Sequence, residues 1–534
     1  MVEQASLFKN WVSGWTIRVA IFMLFLPNLL LFGISTANVN VACGFYGIEP
    51  NDAQYSLIAL YAGLVSFFPL EKRLAQFFVT KDYLFISLIM EVISAFACYK
   101  AQNLYFLIFF RFLEGLANCS LASICIVLIF SQLKSERSKE IGYSVVFGIL
   151  LSTFPFITFL SAPFLDSINF NNLYILVMYT FLPGGIVFLI IMRRTRINRK
   201  IPLYQFDWRS FSLYALSLML ISYCLIYGQQ FNWFSDRRIL WAVSLFVVSF
   251  STYILRQLHV KRPYINLKIF TYSNYVTGFL LIMVLYIARG ALSLTTAFFT
   301  NVLGMDPIYI GYILLFNIGG IIFGILISSR LLIYKLPVML IWILGFSLLL
   351  IHSIWMTLLF DASTEYSAFI IPLIIQGLGT GILLAPIIIF MITAVPPDLG
   401  PSAAATAVAF RLLGTSLSIA LINFFQLYDQ QNHFNRFQDS LYSADPLVDQ
   451  RVQTYRKLLS NSGLSGERTL LLANKLLKNT VDQQAQIRAT IDYYYLMCWL
   501  LILTLILIIC IPAIKQYKIL IDPIADVNGM RTNL

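Results

Sequence analysis

Five ionisable side chains stand where hydrocarbon is expected. Glu91, Arg111, Glu114, Arg289 and Arg411 each fall inside a long apolar run, with His352 as a weaker sixth. On insertion scales a charge in such a run costs about 2.5–3.5 kcal/mol, so each needs a partner or a wet cavity. Arg111 and Glu114 are three residues apart and share a helix face, which Asn118 extends four residues on. A carboxyl held beside a guanidinium can load a proton as its partner turns away and release it as the pair re-forms. The same spacing also fits a static ion pair that holds helices together. Glu91 stands on a comparable row with Ser87, Ser94 and Cys98. Glu114, Arg111 and Glu91 are therefore the proton-coupling candidates.

Tyr286, Arg289, Ser293, Thr296 and Thr300 recur at spacings of three and four, one polar stripe along an apolar helix. Arg411 repeats the pattern with Thr415 and Ser418. Such a stripe faces a bundle interior or a water path. Hydroxyl groups alone would serve as glue between helices; an arginine at the head of each stripe points to a cavity. Amides in spans can bond a substrate as readily as a neighbour. Asn38 and Asn40 after Pro27 in the first run, with Asn118, Asn317 and Gln376, join Tyr286, Arg289, Ser293, Thr296 and Arg411 as cavity candidates.

The elements that must position these groups follow from composition. Of 534 residues, 59% are hydrophobic and 12% charged, against about 45–50% and about 25% in an average soluble protein. A soluble core cannot absorb that apolar surface, so the expectation is an all-α integral membrane protein. At about 20 apolar residues per helix there are about fourteen spans. Their centres fall near Leu30, Tyr61, Met90, Ala117, Thr153, Val187, Leu218, Phe246, Ile287, Gly319, Ile343, Leu378, Leu413 and Leu505. With both termini inside, the inner segments collect about 23 Lys and Arg and the short outer loops about three, the positive-inside pattern. The expectation is a cytoplasmic (inner) membrane protein with both termini cytoplasmic. The net charge of +12 lies in short gaps between apolar runs, without a basic patch interleaved with aromatics, so no nucleic acid is expected.

One stretch breaks the rhythm: a long polar outer loop at about 427–493. Its second half has helical periodicity at Leu470, Ala473, Leu477 and Val481, and reads as an amphipathic helix or hairpin leading into the last span. The seven cysteines lie in apolar runs and read as small core residues. The three histidines are far apart and show no metal-ligand spacing. GLGTG at Gly377–Gly381 sits in an apolar run with no strand before it, and reads as close helix packing, not as a nucleotide loop. No GxxxxGK[ST], HExxH or GxSxG occurs. No cofactor, metal or enzyme activity is expected.

Several marks in order resemble the major facilitator superfamily, specifically its fourteen-helix drug:proton antiporter branch. They are Asn40, Val41 and Ala42; Tyr61 and Pro69; RFLEG at Arg111–Gly115; and Asp207 with Trp208. Then come Gly228, Gln229 and Trp233; Pro263, Leu267 and Phe270; GLGTG; Pro386; Val395, Pro396 and Pro397; and Ser402, Arg411 and Gly414. The resemblance implies two six-helix bundles, spans one to six and nine to fourteen, around a central cavity, with two extra central helices between. The corresponding divisions are 1–200, an insertion at 201–270, and 271–534 with the long outer loop. It also implies alternating access and export of amphiphilic small molecules in exchange for protons.

The sequence departs from the family pattern at named places. Ser35 stands where the first span usually has an acidic residue. Lys72, Gln76 and Val79 replace the usual residues of the glycine-rich loop, and Pro155 and Pro163 replace the paired glycines and prolines of the fifth span. Glu114 stands where a glutamine is usual, so the proton carboxylate is expected to have moved there. The expected activity is efflux. The alternatives are uptake or facilitated transport of a lipid-like or anionic amphiphile, and a non-transporting membrane scaffold or receptor with a degenerate transporter fold. Expected partners are the substrate, protons and the bilayer, with a periplasmic adaptor and outer-membrane channel if the host has two membranes.

Overall fold

In hydrocarbon, every backbone N–H and C=O must be satisfied internally, and a helix does this within one segment. A computed structural model describes residues 7–37, 39–132, 138–165, 170–195, 206–334, 336–439, 441, 446–461 and 467–521. The described residues form helices joined by short turns. The first seven are α1 (Gly14–Ala37), α2 (Val39–Tyr46), α3 (Pro50–Phe77), α4 (Thr80–Lys100), α5 (Leu104–Gln132), α6 (Ser138–Leu165) and α7 (Asn172–Ile191). A hairpin of α8 (Trp208–Tyr227) and α9 (Arg237–His259) follows. Then come α10 (Ser273–Asn301), α11 (Pro307–Ile333), α12 (Val338–Leu359), α13 (Ile370–Thr393) and α14 (Gly400–Phe424). The last are α15 (Gln430–Asp439), α16 (Pro446–Asn461) and α17 (Glu467–Ile521).

Fourteen of these, all but α2, α15 and α16, are long and apolar enough to cross a membrane. Every span centre expected from the sequence falls inside one of them. Successive spans alternate in direction, so α1 starts and α17 ends at one face, here the terminal face.

Local chemistry fixes the helix starts. The Glu49 amide donates to Asp52 Oδ2 at 3.1 Å, ahead of Pro50 at the first position of α3. Asp306 accepts from the Ile308 amide at 2.9 Å with Pro307 following, and Gly304 at φ +60° makes the turn from α10. Asp207 caps α8 through the Ser210 amide, and Arg256 from the far end of the hairpin reaches the same carboxylate at 2.9 Å.

Glycines let the helices close. A Cβ on Gly63 of α3 would strike the carbonyl oxygen of Phe112, and one on Gly115 of α5 that of Leu60. Gly320 and Gly324 of α11 meet Gly377 and Gly381 of α13 in the same way. The GLGTG run is thus a packing seam. These two seams join the second span to the fourth and the tenth to the twelfth, which are equivalent pairs in the two sets of six helices. Across the sets, α6 packs along α11 and α14 along α3, again an exchange of equivalents.

The α8–α9 hairpin lies beside the second of these crossings. α8 bonds to both sides of it: Tyr55 donates to the Met219 carbonyl at 3.2 Å, and Asn423 to that of Ile226 at 3.2 Å. Ser416 and Ser222 are bonded at 3.2 Å. α9 turns outward, with Trp241 and Val248 largely exposed, as suits a helix against lipid. At the far face α14 runs on through one turn of π-helix into α15, and α15 and α16 both pack on the first part of α17. The polar loop read from the sequence is this helical stem.

Candidate functional site

Between the two sets of six helices lies a cavity of about 250 Å³. α1, α3, α5 and α6 wall it on one side and α10 and α14 on the other. Most of the wall is aliphatic or aromatic, and among the lining residues there is no Asp or Glu. Among the described residues the charged groups that reach it are Arg289 and Arg411, with Tyr286, Tyr61, Asn118 and Ser293 among its polar groups.

The two arginines flank one ring. The guanidinium carbons of Arg289 and Arg411 lie 6.0 and 5.4 Å from the Tyr286 ring centroid, a cation–π arrangement on both. Arg411 Nε donates to the Tyr286 hydroxyl at 2.8 Å. Arg289 Nη2 donates across the cavity to the backbone carbonyl of Leu151 in α6, also at 2.8 Å. That carbonyl is available because Pro155, four residues on, has no N–H to return to it. Among the described residues neither arginine has a carboxylate within ion-pair distance.

Behind the α5 wall is a second, sealed polar group. Arg111, Glu114 and Glu91 are all 0% exposed and Asn118 is 1% exposed. Arg111 Nη1 donates to Glu114 Oε2 at 2.9 Å and to the Leu31 carbonyl at 3.1 Å. Asn118 Nδ2 donates to Glu91 Oε1 at 3.2 Å and to the Asn28 carbonyl at 2.6 Å. Asn118 also lines the cavity, so it stands between the open space and the carboxylates. Arg111 Nε and Nη2, Glu114 Oε1 and Glu91 Oε2 are buried and have no partner among the described residues. A buried pair with unused donors and acceptors is costly as pure scaffolding.

The structure sorts the expected residues. Tyr286, Arg289, Ser293, Arg411 and Asn118 line the cavity, and Arg111, Glu114 and Glu91 meet in one cluster behind it. Asn317 and Gln376 do not reach the cavity. Asn317 Nδ2 bonds the Leu373 carbonyl at 2.8 Å and Gln376 Oε1 at 3.2 Å, inside the α11–α13 seam. Their amides serve the helix contact, because the seam glycines draw the two backbones together around them. Thr296 is also off the cavity, its hydroxyl bonded at 2.8 Å to the Ser293 carbonyl of its own helix. Asn38 and the side chain of Asn40 lie outside the described residues.

Three features escaped the sequence. Tyr61 faces Arg411. Glu71, adjacent to Lys72 and Arg73, is 9% exposed within α3, against Ser123. On the stem, His433 Nε2 lies 2.8 Å from Asp492 Oδ2 and 3.6 Å from Asp429 Oδ2, pinning α15 to α17. The spacing of Asp429 and His433 by four was visible, but Asp492 comes from another helix.

A family model of the Major Facilitator Superfamily matches residues 14–419. The chain is 23% identical over 413 residues to multidrug resistance protein Stp of Mycobacterium tuberculosis (strain CDC 1551 / Oshkosh), covering 76% of this chain and 73% of that one. It is 22% identical over 424 residues to the probable multidrug resistance protein EmrY of Escherichia coli (strain K12), covering 76% and 80%. Among solved structures, a POT family transporter in complex with a thioalcohol-conjugated peptide superposes with a TM-score of 0.59 at 12% identity, covering 93% of this chain and 96% of that one. An inward-facing, unoccupied bacterial homologue of the human lysosomal transporter Spinster gives 0.54 at 12% identity, covering 93% and 98%.

Proposed function

Because the chain belongs to the Major Facilitator Superfamily, we propose that it is a secondary transporter that exports amphiphilic small molecules across the cytoplasmic membrane by alternating access. The observation that carries this is the cavity between the two sets of six helices, apolar in its walls and cationic at one place. Its volume is a little below the usual range of ligand sites, about 300–1,000 Å³, and its lining has their usual make-up. Relatives named for multidrug resistance support export as the direction. The excess of Lys and Arg in the segments of the terminal face supports a cytoplasmic position for both ends of the chain. We read the halves as 1–200 and 271–534, with the hairpin at 201–270 between them.

Proton exchange supplies the work in this reading. Glu114 is the proton-carrying carboxyl, Arg111 its alternating partner, and Asn118 with Glu91 the connection to the cavity. One proton moving down about 150 mV releases about 3.5 kcal/mol, enough for roughly a 300-fold gradient of a neutral compound. One carboxyl therefore suffices for useful export. The stem of α15, α16 and α17 on the outer side offers a docking surface for a periplasmic adaptor in a host with two membranes.

The test is flux in proteoliposomes under an imposed pH gradient, using a panel of fluorescent amphiphiles with wild type and Glu114→Gln. Driven flux that disappears in Glu114→Gln supports the coupling role. Equal driven flux in both rejects Glu114, and flux in neither rejects transport of these compounds.

A further inference from the structure

We infer that the cargo of the central cavity is an anionic amphiphile, its acidic head held between Arg289 and Arg411 and its tail against the aromatic and aliphatic wall. This rests on the reading of that cavity as the transport site and goes beyond it by naming the charge of the cargo.

Charge supplies the first argument. Two guanidinium groups share one ring at 6.0 and 5.4 Å with no carboxylate among the described residues of the cavity wall. Like charges set side by side in a poorly hydrated space repel, and an anion placed between them removes that repulsion. Glu71 does not line the cavity; it lies against Ser123 of the wall, beside Lys72 and towards the terminal face. Glu114 is occupied by Arg111. A cationic drug would meet two positive charges and no counter-charge.

The second argument is hydrogen-bonding capacity. A guanidinium carries five N–H donors in a planar fork matched to carboxylate, sulfonate and phosphate oxygens. Arg289 commits one to Leu151, and Arg411 commits one to the hydroxyl of Tyr286. Both arginines are only partly buried, in contrast to Arg111 at 0% exposure. No nitrogen of either is both sealed from the cavity and unpaired, whereas two of Arg111 are. Their remaining donors thus face the open space.

The third concerns the tail. A crevice walled by α1, α6 and α11, with Phe22, Ile322 and Leu326 about half exposed at its lip, shares Leu29 and Thr153 with the cavity. Thr153 is two residues from Leu151, where Arg289 is bonded. Leu29 and Thr153 thus form a thin partition, and apolar wall continues on both sides of it from Arg289 towards the bilayer, which suits an amphiphile over a fully polar anion.

The test measures binding of dansyl-labelled medium-chain probes that differ only in the head group, to the full-length protein in lipid nanodiscs. The heads are carboxylate, primary amide and trimethylammonium. The expected result is binding of the carboxylate at least about tenfold tighter than either other probe, and loss of that preference in Arg289→Gln and in Arg411→Gln. A tenfold change corresponds to about 1.4 kcal/mol. Arg411→Lys keeps the charge and should keep most of the preference, which separates a head-group site from a general loss of fold. Tighter binding of the trimethylammonium or amide probe by wild type, or a carboxylate preference that survives Arg289→Gln/Arg411→Gln, overturns the inference and leaves the transporter reading standing. Absence of binding by every probe overturns both.

Discussion

Arg289 in one half of the molecule donates its 2.8 Å hydrogen bond to the Leu151 carbonyl in the other. The acceptor exists because of a proline four residues further along α6. This gives a test that only the pairing explains. Arg289→Met leaves a buried carbonyl unpaired and should cost about 1–3 kcal/mol. Pro155→Ala restores an amide N–H to that carbonyl, so it should recover part of the loss in the Arg289→Met background and contribute little in wild type. Unfolding midpoints of the four proteins in detergent measure the coupling; equal effects of Pro155→Ala in both backgrounds would refute it.

The sealed cluster behaves as a pair. Arg111→Met strands Glu114 and Glu91 without a cation and should destabilise by about 3–5 kcal/mol. The double variant Arg111→Met/Glu114→Leu removes both members of the ion pair and should recover much of that. A double-mutant cycle on thermal unfolding reads the interaction directly, and additive effects would show that the 2.9 Å contact is energetically idle.

Gly319 and Gly320 are neighbours with opposite surroundings. A Cβ on Gly320 meets the carbonyl oxygen of Ile374, whereas one on Gly319 meets nothing within 4 Å. Gly320→Ala should lower stability by about 1–3 kcal/mol through overpacking. Gly319→Ala should be neutral or stabilising by up to about 1 kcal/mol, the helix-propensity difference. Comparable losses at both positions would mean that the α11–α13 seam is not where the backbones touch.

Acid dependence is expected at the α8–α9 hairpin. Burial alone would raise the Asp207 carboxyl, but the hydroxyl and amide of Ser210 and the Arg256 guanidinium outweigh it and hold the group below the usual carboxylate range. A group depressed in the folded state stabilises above its unfolded value, near 3.9, and that contribution is lost as pH falls through the folded value. Asp207→Asn should therefore lower the unfolding midpoint at neutral pH and converge with wild type in strong acid. Parallel curves would show that the Asp207–Arg256 pair has no part in acid stability.

Hydropathy marked all fourteen spans, since each is one long apolar run and needs no tertiary information. The pairing of Arg111 with Glu114 was legible too, because three residues along a helix fix a shared face. What the sequence could not supply was helix rotation. Asn317 and Gln376 have the same residue types as Asn118, yet only Asn118 reaches the cavity; the others were turned into a seam by glycines on two helices. Tyr61 and Glu71 were hidden for the same reason, one among apolar neighbours and the other beside lysine and arginine. The Leu151 acceptor is backbone, and Pro155 was its one visible trace.

The hydrogen bonds that α3 and α14 donate to α8 carbonyls tie both covers of the molecule along one edge, and the Asn266 amide adds a 3.1 Å bond to Ser402 there. That edge is the spine of a book. The opposite edge, where α6 lies on α11, is held by close side-chain packing, with the Phe159 and Tyr312 ring centroids 5.6 Å apart and Gly311 against the Phe159 backbone. A crosslink at the spine should leave transport running and one between α6 and α11 should stop it; equal effects would show that both edges move.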